Sequence, residues 1–319
     1  MKKINFAVVG CGNVAVKSMI PALIKSEYSE VSVCVDTDCS KEKIIKSKFN
    51  LPFVTSLSEA IKLYDFDVVY ISTPIGTHKE LIFESVNYNK NIICEKSLAS
   101  NIEETKEIIN VCKEKNIAIF EGFMYQFHHQ HKLVKELINN GEIGEPFHFQ
   151  AWFGFPPLPE NNFRYNKSLG GGALLDAGAY VVHSARKFFN SEPVNVFSSL
   201  DFMNKDVEIR GTALLEFENK KTASLVFGFD NMYQNKYCIW GNKGVLTLER
   251  AFSVPADFQS KIHLITQNKD NIIKTKPCNH FLKEIEYFIN NYRINKVKEF
   301  WRTEIINQSK VMNLISVFS

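Results

Sequence analysis

The 319-residue sequence lacks the features that would place it in several classes of protein. It has no run of about 18 apolar residues, the length a transmembrane helix requires, so we expect no membrane span. Its formal net charge is only +3 and its lysines are dispersed, so we expect no nucleic-acid partner. It also has no internal repeat and no low-complexity linker. An apolar content of 45% is that of an ordinary globular protein, and the length favours two domains.

The seven cysteines form no C-x-x-C pair. Their odd number and their dispersion favour free thiols in a reduced, cytoplasmic protein. The apolar stretch after Met1-Lys2-Lys3 is interrupted at Asn5 and leads directly into a glycine turn, so we do not expect a secretion signal. We predict a cytoplasmic protein without a metal site.

Strands and helices alternate over the first 122 residues. Apolar runs predict strands at 4–9, 31–35, 67–72, 91–95 and 118–121, with helices at 14–26, 40–48, 78–87 and 101–115. This alternation predicts a parallel sheet whose two faces are covered by helices. Residues 1–122 are therefore predicted to form a nucleotide-binding domain of the α/β class.

The pattern changes after residue 122. A predicted helix at 128–140 is followed by alternating or aromatic-rich runs, which predict strands at 147–153, 193–201, 208–218, 221–229, 235–240 and 245–249. These runs predict an antiparallel sheet with a helix over 172–188 lying against it, and a helical tail from His280 to Phe318. Residues 123–319 are predicted to form a second domain.

A glycine-rich turn, Gly10-Cys-Gly-Asn-Val-Ala15, follows the first predicted strand. Its G-x-G-x-x-A pattern, between a strand and a helix, matches the dinucleotide-binding fingerprint. Gly10 and Gly12 allow a tight turn and a close approach of the backbone. Asn13 and Val14 lead into a helix whose first N–H groups can bind a pyrophosphate. We predict a nicotinamide dinucleotide site; the alternative is a tight turn that binds nothing.

Asp36 ends the second predicted strand. A carboxylate at this position can accept both ribose hydroxyls of NAD and repel the 2′-phosphate of NADP. Thr37 follows it, where a site that prefers NADP more often has Arg, whereas Lys41 and Lys43 lie near enough to bind a phosphate. We favour NAD over NADP, and the choice stays open.

The third and fourth predicted strands end in polar turns, which should border a cofactor because ligands of such sheets lie beyond the carboxyl ends of the strands. The third is followed by Thr73, Pro74 and, four residues later, His78, which could form a local hydrogen bond or act as an acid. The fourth ends in Glu95 and Lys96. An ammonium at this crest can stabilise developing alkoxide charge and lower the pKa of a neighbouring phenol. The alternative is a solvated lysine.

A glycine run at 170–172 precedes a predicted helix that carries Asp176 and Tyr180 one turn apart on one face. Reduction of a ketone needs a hydride on carbon and a proton on oxygen. A tyrosine, with a pKa near 10, holds that proton at pH 7 and can donate it when a cation is close. Asp176 could orient a substrate hydroxyl or fix Lys96. The alternative is that Tyr180 is a packed aromatic residue and Asp176 an ordinary charge at a helix start.

These motifs resemble those of the glucose–fructose oxidoreductase / inositol dehydrogenase / rhizopine catabolism (Gfo/Idh/MocA) family. The matching segments are 10–15, 95–96, 121–128 and 170–176 with Tyr180, and they span nearly the whole chain in the family's order. The resemblance implies a Rossmann domain followed by an α+β domain with a large, mostly antiparallel open sheet, which often forms the subunit interface. It also assigns cofactor binding to the first domain and substrate binding to the second.

The segment from Asn161 to Tyr180 is most similar to the branch of nucleotide-sugar 3-ketoreductases. This resemblance implies that Lys96 and Tyr180 serve the proton-transfer step and that Arg164 lies near the cofactor. Members that resemble inositol dehydrogenase carry His in place of Tyr180.

Three positions depart from the family pattern. Ser97 stands where the family has Pro, which leaves the turn that carries Lys96 less constrained. Gln126 and His129 stand where Arg and Pro are common, so a charge at position 126 is lost.

The sequence as a whole predicts an NAD(P)H-dependent reductase of a keto-sugar, with a nucleotide-linked 3-keto-deoxyhexose as its substrate. Two alternatives remain: a dehydrogenase of a free sugar or a trans-dihydrodiol, and a non-catalytic regulator that senses the dinucleotide. We expect a homodimer or homotetramer assembled through the C-terminal sheet.

Overall fold

The computed structural model describes residues 3–317. Over these residues the chain folds into two compact units. The first unit contains the chain up to Phe123 together with Phe281–Ile306, and the second contains Met124–His280 together with the residues from Asn307 onward. The start of the chain at Met1 and Lys2 and the end of the predicted tail at Phe318 lie outside the described residues.

The first unit is built on a six-stranded parallel sheet in the order β3-β2-β1-β4-β5-β6. Its strands are β1 (Ile4–Val9), β2 (Ser29–Val35), β3 (Phe53–Val54), β4 (Val68–Ile71), β5 (Asn91–Glu95) and β6 (Ile119–Gly122). All of β4 is buried, as expected for a strand with both faces covered. The predicted Rossmann-type sheet is confirmed, and β3 is an addition to it.

Helices connect these strands. They are α1 (Ile20–Lys25), which continues a π-helical turn at Ala15–Met19, α2 (Lys41–Phe49), α3 (Leu57–Leu63), α4 (His78–Asn87) and α5 (Ile102–Glu114). Side-chain caps fix the start of two of them: Ser56 accepts from the N–H of Glu59, and Asn101 accepts from that of Glu104. The core is formed by the buried aliphatic side chains of the strands and of the inner helix faces.

The second unit contains an eight-stranded sheet in the order β14-β13-β12-β11-β7-β10-β9-β8. Its strands are β7 (Pro146–Gly154), β8 (Asn195–Asp201), β9 (Arg210–Glu216), β10 (Thr222–Gly228), β11 (Gln234–Gly241), β12 (Gly244–Glu249), β13 (Lys261–Thr266) and β14 (Asp270–Lys274). Only the β7–β10 pair is parallel, so the predicted, mostly antiparallel sheet is confirmed.

Helix α6 (His129–Asn139) precedes this sheet, and α7 (Ala179–Phe189) packs on β7 and β10. The predicted helix over 172–188 differs in its first turn, which is π-helical at Leu174–Gly178. The tail forms two helices, α8 (His280–Asn291) and α9 (Asn295–Val317). Shorter 3₁₀ turns lie at Ile75–Thr77, Met124–Phe127, Phe163–Tyr165, Lys167–Leu169 and Glu218–Lys220.

Candidate active site

The glycine turn after β1 packs tightly against the end of β4. Gly10 has a φ of +90°, and a Cβ placed on it would lie 2.8 Å from the backbone of Ser72 and of Thr73. At Gly12, in contrast, a Cβ would meet no described atom within 4 Å. Gly10 is therefore required by the fold, whereas Gly12 leaves open space beside the turn, the space that a dinucleotide phosphate needs.

The helical segment that follows the turn begins without a side-chain cap. Val14 occupies the cap position and offers no side-chain acceptor to the first N–H groups, and its side chain is half-exposed. An anion is the usual partner of such N–H groups, because the helix dipole adds partial positive charge there. With Gly12 and Asn13 beside it, this segment fits the pyrophosphate of a nicotinamide dinucleotide.

The Asp36 carboxylate is held by two backbone amides. Its Oδ2 accepts from the N–H of Cys11 at 2.7 Å, and its Oδ1 accepts from the N–H of Asp38 at 2.9 Å. The carboxylate is thereby fixed beside the glycine turn, directly before Thr37. Lys41 lies 3.7 Å from Asp38, so part of its charge is already balanced.

His78 joins two of the predicted turns. Its ring is buried, with Nε2 3.0 Å from the carbonyl of Thr73 and Nδ1 3.1 Å from that of Ser97. Burial lowers the pKa of His78, so the ring is neutral at pH 7 and its single N–H donates to the carbonyl of either Thr73 or Ser97. The described contacts make His78 a link between the turn that begins at Thr73-Pro74 and the turn after Lys96.

Buried carboxyl groups lie beneath the Glu95-Lys96 crest. The Tyr70 hydroxyl donates to Oε1 of Glu95 at 2.6 Å, and the N–H of Leu98 donates to Oε1 of Glu121 at 2.8 Å. Glu284 of α8 is fully buried, and burial together with the charge of Glu95 raises the pKa of its carboxyl well above its usual range. Sequence reasoning did not assign Tyr70, Glu121 or Glu284 to this crest.

Lys96 itself is half-buried at the end of β5, and the peptide bond between Lys96 and Ser97 is cis. Ser97 is 6% exposed, so the residue that replaces the family's proline is packed rather than solvated.

In the second unit, the glycine run makes room for a carboxylate that the sequence analysis missed. Gly172 has a φ of +117°, and a Cβ on it would collide with Glu208. Oε1 of Glu208 accepts from the N–H of Leu174 at 2.8 Å, so this side chain caps the π-helical turn. Burial raises the pKa of Glu208. The glycine run indicated that some neighbour lies close to the backbone, but it did not identify Glu208 as that neighbour.

Asp176 pairs with Arg164 through a hydrogen bond of 2.5 Å from Nε to Oδ2. Both side chains are largely buried, with 29% of Arg164 and 17% of Asp176 exposed. The contact brings together two of the three predicted site residues of the second unit, and Tyr180 is the third. It also holds the guanidinium in a fixed position, because a charge-assisted hydrogen bond of this kind is stronger than a neutral one.

Tyr180 lies at the start of α7 and is 7% exposed. Its hydroxyl is 3.5 Å from Sδ of Met124, and its ring packs against Phe153, with 5.2 Å between ring centroids. Tyr125 packs against the same ring at 5.9 Å and forms a 2.7 Å hydrogen bond with Nδ1 of His183. The phenol is thus held by aromatic packing.

Each unit contains some of the candidate site residues. The first contains the glycine turn, Asp36 and Lys96, and the second contains Arg164, Asp176 and Tyr180.

Among the described residues, no group of three or more His, Cys, Asp or Glu side chains is placed to hold a metal ion. No helix in residues 3–317 is both long enough and apolar enough to cross a membrane.

Two family models match the chain. The model described as "Oxidoreductase family, NAD-binding Rossmann fold" matches residues 4–123, and the GFO/IDH/MocA C-terminal domain model matches residues 131–247. The first match lies within the first unit and the second within the second unit.

Several known proteins are similar over most of their length. A dTDP-3,4-didehydro-2,6-dideoxy-alpha-D-glucose 3-reductase of Saccharopolyspora spinosa is 33% identical over 265 residues, which cover 82% of this chain and 80% of the relative. An NADP(+)-dependent D-xylose 1-dehydrogenase of Haloferax volcanii is 25% identical and covers 97% of this chain and 95% of the relative.

A solved structure gives the same fold. A 3-ketoreductase of Actinomadura kijaniata, crystallised as a Tyr-to-Phe variant with TDP-benzene and NADP, matches with a TM-score of 0.94. It is 28% identical, and the match covers 99% of this chain and 97% of that one. The chain therefore belongs to the GFO/IDH/MocA oxidoreductase family, and its first unit is that family's NAD(P)-binding Rossmann fold.

Proposed function

We propose that this protein is an NAD(P)H-dependent reductase of a nucleotide-linked keto-sugar, and that it reduces the C3 carbonyl of a 3-keto-deoxyhexose. The observation that carries the proposal is the likeness, over nearly the whole chain, to 3-ketoreductases that include a dTDP-sugar 3-reductase and an enzyme crystallised with TDP-benzene and NADP. The retained Lys96 and Tyr180 agree with it.

In this proposal Tyr180 is the proton donor. A nicotinamide bound by the first unit would supply the hydride to the carbonyl carbon, and the carbonyl oxygen would take up the proton of Tyr180 to become a hydroxyl. A phenol carries a proton at pH 7 because its ordinary pKa is near 10. Packing against Phe153 and Tyr125 limits the positions that the Tyr180 ring can take, which favours a donor of fixed geometry.

Lys96 supplies positive charge in the same step. An ammonium stabilises the developing alkoxide and eases loss of the phenolic proton. Asp176 and Arg164 act as a pair: the carboxylate holds the guanidinium, which then offers its remaining N–H donors to a phosphate or a sugar oxygen. These assignments make Lys96 and Tyr180 catalytic, and Asp176 and Arg164 binding residues.

We also propose that NADH is preferred over NADPH. Asp36 keeps a carboxylate where the 2′-phosphate of NADP would lie, and Lys41, one of the two nearby lysines together with Lys43, already pairs with Asp38. The solved relative was crystallised with NADP, so this preference is a property proposed for this chain alone.

The test is nicotinamide absorbance with purified protein, NADH or NADPH, and a dTDP-linked 3-keto-6-deoxyhexose generated in situ. We expect rapid oxidation of the cofactor by the wild type. Tyr180→Phe should lower kcat by about 10²–10⁴-fold while cofactor affinity is retained, because this is the usual contribution of general acid catalysis. Tyr88→Phe, which changes an exposed tyrosine of the first unit, is the control and should leave kcat unchanged.

If the same residues catalysed the reverse reaction, the protein would be a sugar dehydrogenase. The similarity to the Haloferax D-xylose dehydrogenase is the observation that favours this alternative. Two results together would favour this alternative over the proposed reductase activity. Neither NADH nor NADPH would be oxidised with the keto-sugar, and NAD(P)+ would be reduced with a free sugar or a trans-dihydrodiol. Near-normal turnover of Tyr180→Phe would overturn the proton-donor assignment in both.

We further infer a reducing compartment, since all seven cysteines, which lie within residues 3–317, are free thiols.

A further inference from the structure

Arg250 is a cation of the second unit whose charge no carboxylate balances. It lies directly after β12 and is half-buried, and within residues 3–317 it forms no ion pair. Arg164, in contrast, is paired with Asp176. A guanidinium without a counter-ion in its own protein is well suited to bind a carboxylate or a phosphate of a ligand.

Aromatic side chains hold the guanidinium of Arg250 in place. Its Cζ lies 4.8 Å from the ring centroid of Tyr233 and 5.7 Å from that of Phe258. Nη1 also donates to the Tyr233 hydroxyl at 2.9 Å. These contacts limit the rotamers of a long side chain, so it loses less conformational entropy when it binds a ligand.

The backbone that carries Arg250 is fixed as well. Its φ is +55°, a conformation that residues other than glycine and asparagine adopt rarely. Its carbonyl accepts from Nε2 of Gln130, a fully buried residue of α6, at 3.1 Å. The N–H of the next residue, Ala251, donates to the carbonyl of Asn235 at 3.0 Å. Backbone strain that is held by its surroundings in this way is common at ligand sites.

Hydrogen-bond donors remain at this position. A guanidinium has five N–H donors, and the described contacts of Arg250 use one of them. The Tyr233 hydroxyl accepts a second hydrogen bond from Nδ2 of Asn235 at 2.9 Å, so both of its lone pairs are occupied. Its own proton is left for another acceptor, and 37% of Tyr233 is exposed. Arg250 and Tyr233 together can therefore donate to the oxygens of an anion.

This pair lies close to the proposed proton donor. Phe252 packs 5.9 Å from the ring of Tyr180 and 5.4 Å from that of Phe153. Arg250 is two residues before Phe252, a distance of at most about 7 Å along the chain. In a sugar nucleotide the diphosphate is attached at C1, two carbons from the C3 carbonyl of the proposed reaction. One ligand can therefore place its C3 near Tyr180 and its diphosphate near Arg250.

We propose that Arg250 and Tyr233 bind the diphosphate of the substrate, and that Arg250 thereby selects nucleotide-linked sugars over free sugars. The inference rests on the proposed function, because it concerns the substrate of the same site. The other diphosphate of the reaction is that of the cofactor, whose expected site is the glycine turn of the first unit. The test separates these two sources.

Calorimetry of the full-length protein with dTDP at saturating NADH measures binding without turnover. Thymidine, which lacks the phosphates, should bind at least about tenfold more weakly than dTDP. Arg250→Gln should weaken dTDP by about tenfold or more and Tyr233→Phe by about threefold, because each removes a donor to a charged oxygen. The affinity for NADH should be unchanged in both. Arg250→Lys keeps the charge but not the planar donor fork, so it should bind dTDP with intermediate affinity.

Arg293→Gln is the matched control. Arg293 of the first unit is exposed and also lies over a tyrosine ring, 5.1 Å from the centroid of Tyr292, and its loss should leave dTDP affinity unchanged. Circular dichroism verifies the fold of each variant. Unchanged dTDP affinity in Arg250→Gln, an equal loss in Arg293→Gln, an equal loss of NADH affinity, or no dTDP binding by the wild type would overturn the proposal.

Turnover distinguishes this inference from the proposed function. In an active reductase, Arg250→Gln should raise KM for the dTDP-linked keto-sugar by about tenfold and keep kcat within about twofold, because the diphosphate is remote from the reacting carbon. A wild type that oxidises no NADH, with dTDP binding weakened in Arg250→Gln, would contradict the reductase activity and support the diphosphate site. Normal turnover and intact dTDP affinity in Arg250→Gln would support the reductase and overturn the diphosphate site.

Discussion

The two glycines of the first turn differ in what surrounds them. At Gly10 the backbone adopts a positive φ, and the ends of β1 and β4 leave no room for a side chain. At Gly12 the backbone is open to the solvent side. The same residue type therefore serves the fold at one position and leaves room for a ligand at the other.

Alanine at each position should separate the two roles. Gly10→Ala should lower the free energy of unfolding by about 1–3 kcal/mol without cofactor, because the methyl group meets backbone atoms at a strained φ. Gly12→Ala should leave that stability nearly unchanged but weaken NADH binding by at least about tenfold. Urea unfolding and NADH titration measure the two effects; loss of stability in Gly12→Ala with intact NADH affinity would contradict this division.

A substitution of Asp36 tests the proposed preference for NADH over NADPH. Asp36→Asn keeps an oxygen for the N–H of Cys11 and removes the negative charge, so the ratio of kcat/KM for NADPH to that for NADH should rise by about tenfold or more. Glu30→Gln, a change of an exposed carboxylate near the opposite end of β2, is the control and should alter the ratio by much less. An equal change in both variants would mean that general surface charge, and not Asp36, sets the preference.

At the scale of helices and strands, periodicity in the sequence predicted most of both sheets. It missed β3, because two residues are too few to show a period. β13 was missed although Ile262 and Leu264 alternate with less buried residues, so that signal was present and unused. The helical tail was predicted, but its division into α8 and α9 was not, because no Gly or Pro marks the break between them.

The side-chain contacts of the candidate site could not be predicted from the sequence. Asp176 was found from its helical spacing to Tyr180, but its pairing with Arg164 depends on a loop whose path no pattern fixes. Glu208 and Glu284 belong to strand-flanking and tail segments far away in the sequence, so only the tertiary fold brings them to the site regions.

Two buried histidines at the starts of α6 and α8 should make stability depend on pH. His128 caps α6 by accepting the N–H of Gln130, and its ring lies 5.9 Å from that of His280. Burial lowers the pKa of His128 to about 4 and that of His280 to about 3, from an ordinary value of 6.5. Above pH 6.5 the full stability is present. As the pH falls below 6.5, the unfolded chain binds protons that the folded chain does not, so stability is lost.

The loss should reach about 1.4 kcal/mol per pH unit for each histidine between pH 6.5 and 4. His128→Asn keeps a capping side chain and removes the titrating group, so urea unfolding across this range should give a shallower pH dependence. His129→Gln, a change of the exposed neighbour, should leave the slope as in the wild type. An unaltered slope in His128→Asn would exclude His128 as a source of the effect.

At the scale of the whole molecule, one face of the eight-stranded sheet carries exposed apolar side chains. The pairs Val226–Trp152 and Leu214–Phe197 face the same side, and between 38% and 59% of Val226, Leu214 and Phe197 is exposed. Contiguous apolar surface of this kind marks an interface. We expect it to join copies of this chain in a homodimer or homotetramer.

Negative charge introduced on this face of the sheet should dissociate the expected homo-oligomer. Leu214→Glu/Val226→Glu is expected to run as a monomer in size-exclusion chromatography with light scattering, because two buried carboxylates at an interface are costly. Leu63→Glu, on an exposed apolar residue of α3, serves as the control and should keep the wild-type mass. A monomeric wild type, or an unchanged mass in the sheet variant, would show that this face is not the interface.

The π-helical turn at Leu174–Gly178 has a consequence for the length of the chain at this point. A turn of this type holds one residue more than the α-helical turn it interrupts. Deleting one residue of this turn, such as Ala177, would let the segment close as a regular α-helix while the residues on either side keep their angular positions. Deleting one residue of α7 itself, such as Val182, would instead rotate everything before it by roughly 100° about the axis relative to the part of α7 that follows. Tyr180 would then leave its angular position relative to the rest of α7, although every functional side chain would still be present. The π-helical turn thus tolerates a one-residue change in chain length that α7 does not.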